Sequence, residues 1–125
     1  MQLTHEIPDY AYTLRGADGR SARVNDRVLT ASFILAPDRL VEDWNAASAA
    51  SLSPDALAPL LALEPELVLL GSGERQRFPP AVTMAACLTR GIGIEVMANA
   101  AAARTFNVLA GEGRRVVAGF VLQPD

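Results

Sequence analysis

The order of segment types along the chain predicts an α/β protein. The expected architecture has three layers, with helices flanking a mixed, mostly parallel sheet and an antiparallel β meander at the N-terminal end. Two observations carry this. Residues 1 to about 36 place apolar side chains at period two between short turn sequences, the mark of half-buried strands. From about residue 37 onward, helical spacing alternates with short continuous apolar runs, which fits helices packed on strands covered on both faces. A length of 125 residues matches one domain, 1–125, with a meander over 1–36 and the helix–strand alternation over 37–125.

In the meander, Tyr10, Tyr12 and Leu14 alternate with Ala11, Thr13 and Arg15, giving a first strand. Gly16-Ala17-Asp18-Gly19 reads as a turn, Ala22 and Val24 as the next strand, and Asn25-Asp26 as a second turn. Leu29 to Phe33 then continues at period two until Pro37, which cannot donate to a ladder. Ser53-Pro54-Asp55 is a helix start: a serine cap, proline at the first position and an acid near the positive end of the dipole. Pro59 removes an internal hydrogen bond, so that helix is expected to be short or kinked before Glu64-Pro65.

Leu67 to Leu70, ended by Gly71, reads as a buried parallel strand. Pro79 and Pro80 introduce a helix to about Arg90, stopped by Gly91. Ile92 to Met97 reads as a second buried strand. Asn99 is expected to cap a third helix, carrying Ala102, Thr105, Phe106 and Leu109 and ending at Gly111. Val116 to Leu122 is the last strand.

Composition excludes several classes of function. The net charge is −3 and no basic run occurs, which argues against a nucleic-acid partner. All eleven basic residues are arginines, so neither a Schiff-base lysine nor a phosphate-loop lysine exists. One cysteine, Cys87, and one histidine, His5, form no disulfide framework and no metal-ligand spacing, and no motif calls for a cofactor. Met1 to Glu6 lacks a basic region followed by an apolar stretch, and no apolar run approaches the roughly 20 residues that span a bilayer. These features predict no signal peptide, no integral membrane segment and a cytoplasmic protein.

Chemistry could sit at Gly71-Ser72-Gly73, which follows a buried strand where open α/β sheets place ligand sites. A backbone cradle for an anion is one reading. The third fingerprint glycine is missing, with Gln76 in its place, and a tight turn is the more ordinary reading. Ser72 lies outside a Gly-x-Ser-x-Gly elbow, since Leu70 and Glu74 flank it. Cys87 reads as a small buried hydrophobe. Arg75 and Arg77 flank the glycines, and Arg104 and Asn107, three apart, share a helix face. Together they are candidates for an anion-binding patch, against the alternative of a solvated surface with one buried pair. Glu95, in mid-strand, either faces solvent at an edge or pairs with an arginine. Arg104, after four alanines, is expected to be at least half buried and bonded to a carbonyl, Glu95 or Glu112.

Three stretches together resemble a known family. They are Gly91-Ile92-Gly93-Ile94-Glu95-Val96-Met97, then Ala103 to Leu109, then Glu112-Gly113-Arg114-Arg115-Val116, with Leu67 to Gly73 upstream. The chain is similar, from about Tyr10 to Leu122, to the small α/β family that includes mitochondrial respiratory complex I assembly factor three and the adipogenesis-associated domain protein of animals, with bacterial and archaeal homologues. The resemblance implies a three-layer fold with an extra β element. It also implies a protein-interaction or assembly role, with no established catalysis. Ala98, Asn99, Ala103 and Phe106 depart from the acid, Thr, Cys and Tyr often found there, which removes polar groups and points further toward binding.

Two functions follow as expectations. The first is a non-catalytic assembly factor with a protein partner, for which Trp44 is the candidate anchor; a tryptophan capping the core is its structural alternative. The second is a small-anion binder or cryptic enzyme built on Gly71, Ser72, Gly73, Arg75 and Arg104.

Overall fold

A computed structural model describes residues 11–123. Strands β1 (Leu14–Ala17), β2 (Ala22–Val24) and β3 (Arg27–Leu29) form a three-stranded antiparallel meander in sequence order. Leu14, Ala22, Val24 and Leu29 point inward and are buried, while Arg15 and Arg23 point out. A bulge between Leu14 and Gly16 absorbs the extra residue. Gly16 and Ala17 therefore belong to β1, and the turn begins two residues later than expected, at Asp18. The Asp18 carboxylate accepts the backbone N–H groups of Arg20 and Ser21 at 2.8 and 2.9 Å, which hold it below the usual carboxylate range. Asn25 takes the next turn at φ +53°, a conformation asparagine tolerates. The expected strand from Tyr10 starts only at Leu14, and Tyr10 and His5 lie outside the described residues.

The expected run from Leu29 to Phe33 is broken in two. The chain leaves the meander after Leu29 and enters a second sheet as β4 (Phe33–Ala36), whose four residues are all buried. A tight turn at Pro37-Asp38 then returns it as β5 (Arg39–Val41). With β6 (Leu67–Gly71), β7 (Gly93–Met97) and β8 (Val116–Phe120), these make a five-stranded sheet of order β5-β4-β8-β6-β7. The pairings β6–β7 and β6–β8 are parallel, and β4–β5 and β4–β8 are antiparallel. The sheet is mixed because β4, read as the end of the meander, is the strand that pairs with β8.

Helices cover both faces. On one face α3 (Asn99–Gly111) lays Ala102, Ala103, Phe106 and Ala110 onto Leu69, Val116 and Ala118, and the meander seals its flank. Phe33 and Phe120 stack there with ring centroids 5.1 Å apart. The small side chains of α3 let it sit close to the sheet. On the other face, Leu57, Leu60 and Cys87 pack with Trp44 on Val68, Leu70, Val96 and Val117. The Ser53 start yields a 3-10 turn over Pro54–Leu57, followed by a one-turn helix α1 (Ala58–Leu61). Pro59 falls in the first turn of α1, where its missing N–H is harmless, so the kink takes the form of a restart. Helix α2 (Ala81–Leu88) follows the two prolines, and Gly91 turns at φ +74°.

Two sequence expectations are corrected here. The segment from Ile92 is an edge strand rather than a covered one: Gly93 and Glu95 are exposed and only Val96 is buried. Trp44 is an interior residue, 6% exposed, with its Nε1 donating to the Ala56 carbonyl at 2.9 Å. It lies so close to β8 that a Cβ on Gly119 would be 2.6 Å from Cη2 of the ring. It cannot serve as an exposed anchor.

Candidate functional site

Strands β6, β7 and β8 run parallel, so their carboxyl ends meet at one rim of the sheet. The connection after β6 leads to α2 on one face, and the connection after β7 leads to α3 on the other. Such a divergence is where open sheets leave a crevice for ligands. Here it is filled from within. Asn99, fully buried, places its carboxamide between the chain segments: Oδ1 accepts the Gly73 N–H at 3.1 Å, and Nδ2 donates to the carbonyls of Val121 and Asp18 at 2.9 Å each. The Asn99 N–H donates in turn to the Gly73 carbonyl at 2.8 Å. Asn99 is thus the first residue of α3 rather than its cap; Ala98 holds the cap position and the asparagine side chain bonds elsewhere. Gly71 must be glycine for this arrangement, since a Cβ there would meet the Asn99 carboxamide and lie 2.8 Å from Phe120 Cδ2.

The loop from Ser72 to Phe78 is tied down at every polar position but two. The Ser72 hydroxyl donates to the Arg75 carbonyl at 2.7 Å and accepts the Arg77 N–H at 2.8 Å. Glu74 Oε1 accepts the Gly19 N–H at 2.9 Å, and Gln76 Nε2 donates to the Val96 carbonyl on the edge strand at 3.0 Å. Gly73 adopts φ +122°, open to glycine alone. The side chains of Arg75 and Arg77 make no hydrogen bond or ion pair among the described residues. They line a shallow pocket of about 190 Å³ with Ser48, Ala49, Ser72, Glu74 and Gln123. Phe78, next in the chain, is 56% exposed.

The other candidates fall elsewhere. Asn107 clamps β1 to α3: Oδ1 accepts the Leu14 N–H at 2.9 Å and Nδ2 donates to the Leu14 carbonyl at 2.7 Å. This holds the β1 edge of the meander against α3 and engages both ends of the carboxamide. Arg104 is exposed and, among the described residues, makes none of the expected bonds to a carbonyl, Glu95 or Glu112. One helical step from Ala103 to Arg104 carries the side chain past the buried stripe to the solvent side. Neither Arg104 nor Asn107 lines the Arg75–Arg77 pocket. Glu95 faces solvent on the edge strand, one of its two expected settings. Cys87 is buried in α2, and burial pushes its thiol above the usual range. Among the described residues, no group of three or more metal-ligating side chains could hold an ion.

Sequence reasoning missed two features. The junction role of Asn99 leaves no local signature, because its partners lie 22, 26 and 81 positions away. The second had a signal: residues 78–89 contain no charged side chain, yet Val82 and Leu88 are 63% and 58% exposed. A solvent-facing helix normally carries charge on its outer side.

An α/β chain with a buried asparagine junction and an arginine-bearing loop at its parallel strand ends has a small mixed-sheet fold with helices on both faces. Residues 14–121 match the family described as protein of unknown function (DUF498/DUF598), and the chain belongs to that family. It is 30% identical over 109 residues to the human NADH dehydrogenase [ubiquinone] 1 alpha subcomplex assembly factor 3, a match covering 86% of this chain and 59% of that protein. The chain thus spans under two thirds of the human relative's length. It is also 30% identical over 89 residues to the 13 kDa major membrane protein of Francisella tularensis, covering 71% of this chain and 68% of that one. Among solved structures, a Xanthomonas campestris protein determined by NMR is 56% identical, with a TM-score of 0.84 over 99% of this chain and 94% of the other. A Bordetella parapertussis crystal structure is 30% identical, with the same TM-score over 94% and 100%.

Proposed function

We propose that this chain is a non-catalytic protein-interaction domain that supports the assembly of a respiratory complex. The observation that carries the reading is the rim of the sheet. Its polar groups at Ser72, Gly73, Gln76 and Asn99 bond to one another and to neighbouring backbone, while Arg75, Arg77 and Phe78 are presented outward on a held loop. Arginine and aromatic side chains on a rigid support are the residue types that dominate protein interfaces. The family relationship to a protein named as an assembly factor supports the choice of partner class. Among the described residues no helix is long and apolar enough to cross a membrane, and we assign the chain to the cytoplasm as part of the same proposal. Affinity capture from the native host tests it. Respiratory-complex subunits or assembly proteins are expected, and their absence together with unrelated recoveries refutes the reading.

The pocket between Arg75 and Arg77 supports a second reading, a small anion held by two guanidinium groups, unpaired among the described residues, near Gly71-Ser72-Gly73. A thermal-shift panel of phosphates, nucleotides and carboxylates decides it. A ligand at a hundred times its dissociation constant adds about 2.7 kcal/mol of stability. No shift across the panel removes this reading and any catalysis built on it.

A further inference from the structure

We infer that the outer side of α2, bracketed by arginines, is the docking face, and that its occupant is a protein segment with an apolar centre and acidic ends. The inference rests on the interaction reading above and adds the face and the partner's chemistry. Val82, Ala85 and Leu88 recur every three residues along one side of α2, and Phe78 stands just before it. Phe78, Val82 and Leu88 are each more than half exposed. Exposed singly they would need no explanation, but here they occur in a stretch without a charge to interrupt them. Helix α2, about 12 Å long at 1.5 Å per residue, has Arg75 and Arg77 at its entry and Arg90 at its exit.

None of these arginines has a carboxylate partner among the described residues, although the chain carries more acids than bases. The face is therefore apolar in the middle and net positive at both ends, since the one carboxylate beside Arg75 and Arg77, Glu74, is bonded to the Gly19 N–H. Its complement is apolar in the middle and anionic at both ends.

The same charges disfavour a second copy of this chain as the occupant. A two-fold contact is self-complementary. Laid antiparallel, α2 on α2 would set Arg75 and Arg77 against the other copy's Arg90. Laid parallel, each arginine would meet itself. Cation faces cation in both cases, at a cost in specificity and affinity.

The test uses the full chain, isotope-labelled for NMR, and two synthetic helical peptides sharing one Leu/Ala face, one with glutamates at both ends and one with lysines. The glutamate peptide is expected to give saturable shifts confined to residues 74–90 that weaken in about 0.5 M salt. The lysine peptide is expected to bind roughly tenfold or more weakly. The double variants R75E/R77E and V82S/L88S alter exposed side chains, and a thermal melt checks that both stay folded. Each is expected to lower affinity by roughly tenfold or more. Equal binding of both peptides, shifts elsewhere, or unchanged variants overturn the inference.

Three other outcomes also overturn it, each in favour of a different occupant. These are equal shifts with free glutamate alone, binding to phosphatidylglycerol vesicles without peptide binding, and a concentration-dependent dimer abolished by V82E. Capture separates this inference from the parent reading. If R75E/R77E recovers respiratory assembly proteins as well as the wild type does, the docking face is wrong and the function stands. If the wild type recovers none while the glutamate peptide binds as expected, the function fails and the face stands.

Discussion

Replacing Asn99 by alanine removes the carboxamide that joins the ends of β6 and β8 to the meander turn. Two of the groups it serves, the Gly73 N–H and the Val121 carbonyl, sit in its fully buried surroundings, while the Asp18 carbonyl lies nearer the surface. An orphaned buried polar group costs about 1–3 kcal/mol, so two of them cost about 2–6 kcal/mol, with water replacing the third bond. With a urea slope of roughly 1.5 kcal/mol/M for a chain of this size, a loss of about 3 kcal/mol lowers the midpoint by about 2 M. Asn99→Asp separates hydrogen bonding from volume. The carboxylate still accepts from Gly73 but turns its second oxygen toward two carbonyls. Burial and those carbonyls raise the folded-state pKa of the introduced carboxyl above its unfolded value. The folded variant therefore binds more protons over that window, and stability falls as pH rises through it. Asn99→Asp should be the less stable variant at pH 7 and recover toward Asn99→Ala in acid. A loss below about 1 kcal/mol for Asn99→Ala, or a pH-independent deficit for Asn99→Asp, would refute the junction argument.

Arg104→Ala should change stability in a urea melt by less than about 0.5 kcal/mol, as for an exposed side chain without a partner among the described residues; a larger loss would show a contact the structure lacks. Gly119→Ala should cost about 1–3 kcal/mol, because its Cβ would press on the Trp44 ring and lie 3.2 Å from Leu60 Cδ2. The lone tryptophan reports this directly, and its native emission maximum should move to the red; an unchanged spectrum and midpoint contradict the packing. Cys87 should resist iodoacetamide at pH 8 in the native state and react fully in denaturant, since it is buried and its thiol is shifted up. That shift makes the folded state hold the thiol proton longer, so stability should decline as pH rises above the ordinary thiol value of 9.0.

Local patterns in the chain determined the element types and most of their limits. Prolines at 54, 79 and 80 and glycines at 91 and 111 mark helix boundaries through backbone chemistry that acts within a few residues. The apolar run Leu67–Leu70 announces a strand covered on both faces, and β6 is that strand. The interior position of Cys87 was legible for the same reason, a small apolar side chain within a helical run. Family membership was legible too, because it is a property of the sequence itself.

What the sequence could not decide was which elements meet. Phe33–Ala36 reads alike as the end of a meander or as a central strand, and only its pairing with β8 settles the matter. Arg104 lies outside where burial was expected, and of the two settings open to Trp44 the structure takes the core. A single helical step turns Arg104 to solvent, and the open space over Gly119 takes in the indole. Asn99 shows the limit most sharply. Its carboxamide bonds to groups contributed by three distant segments, and such a junction exists only once the chain has folded around it.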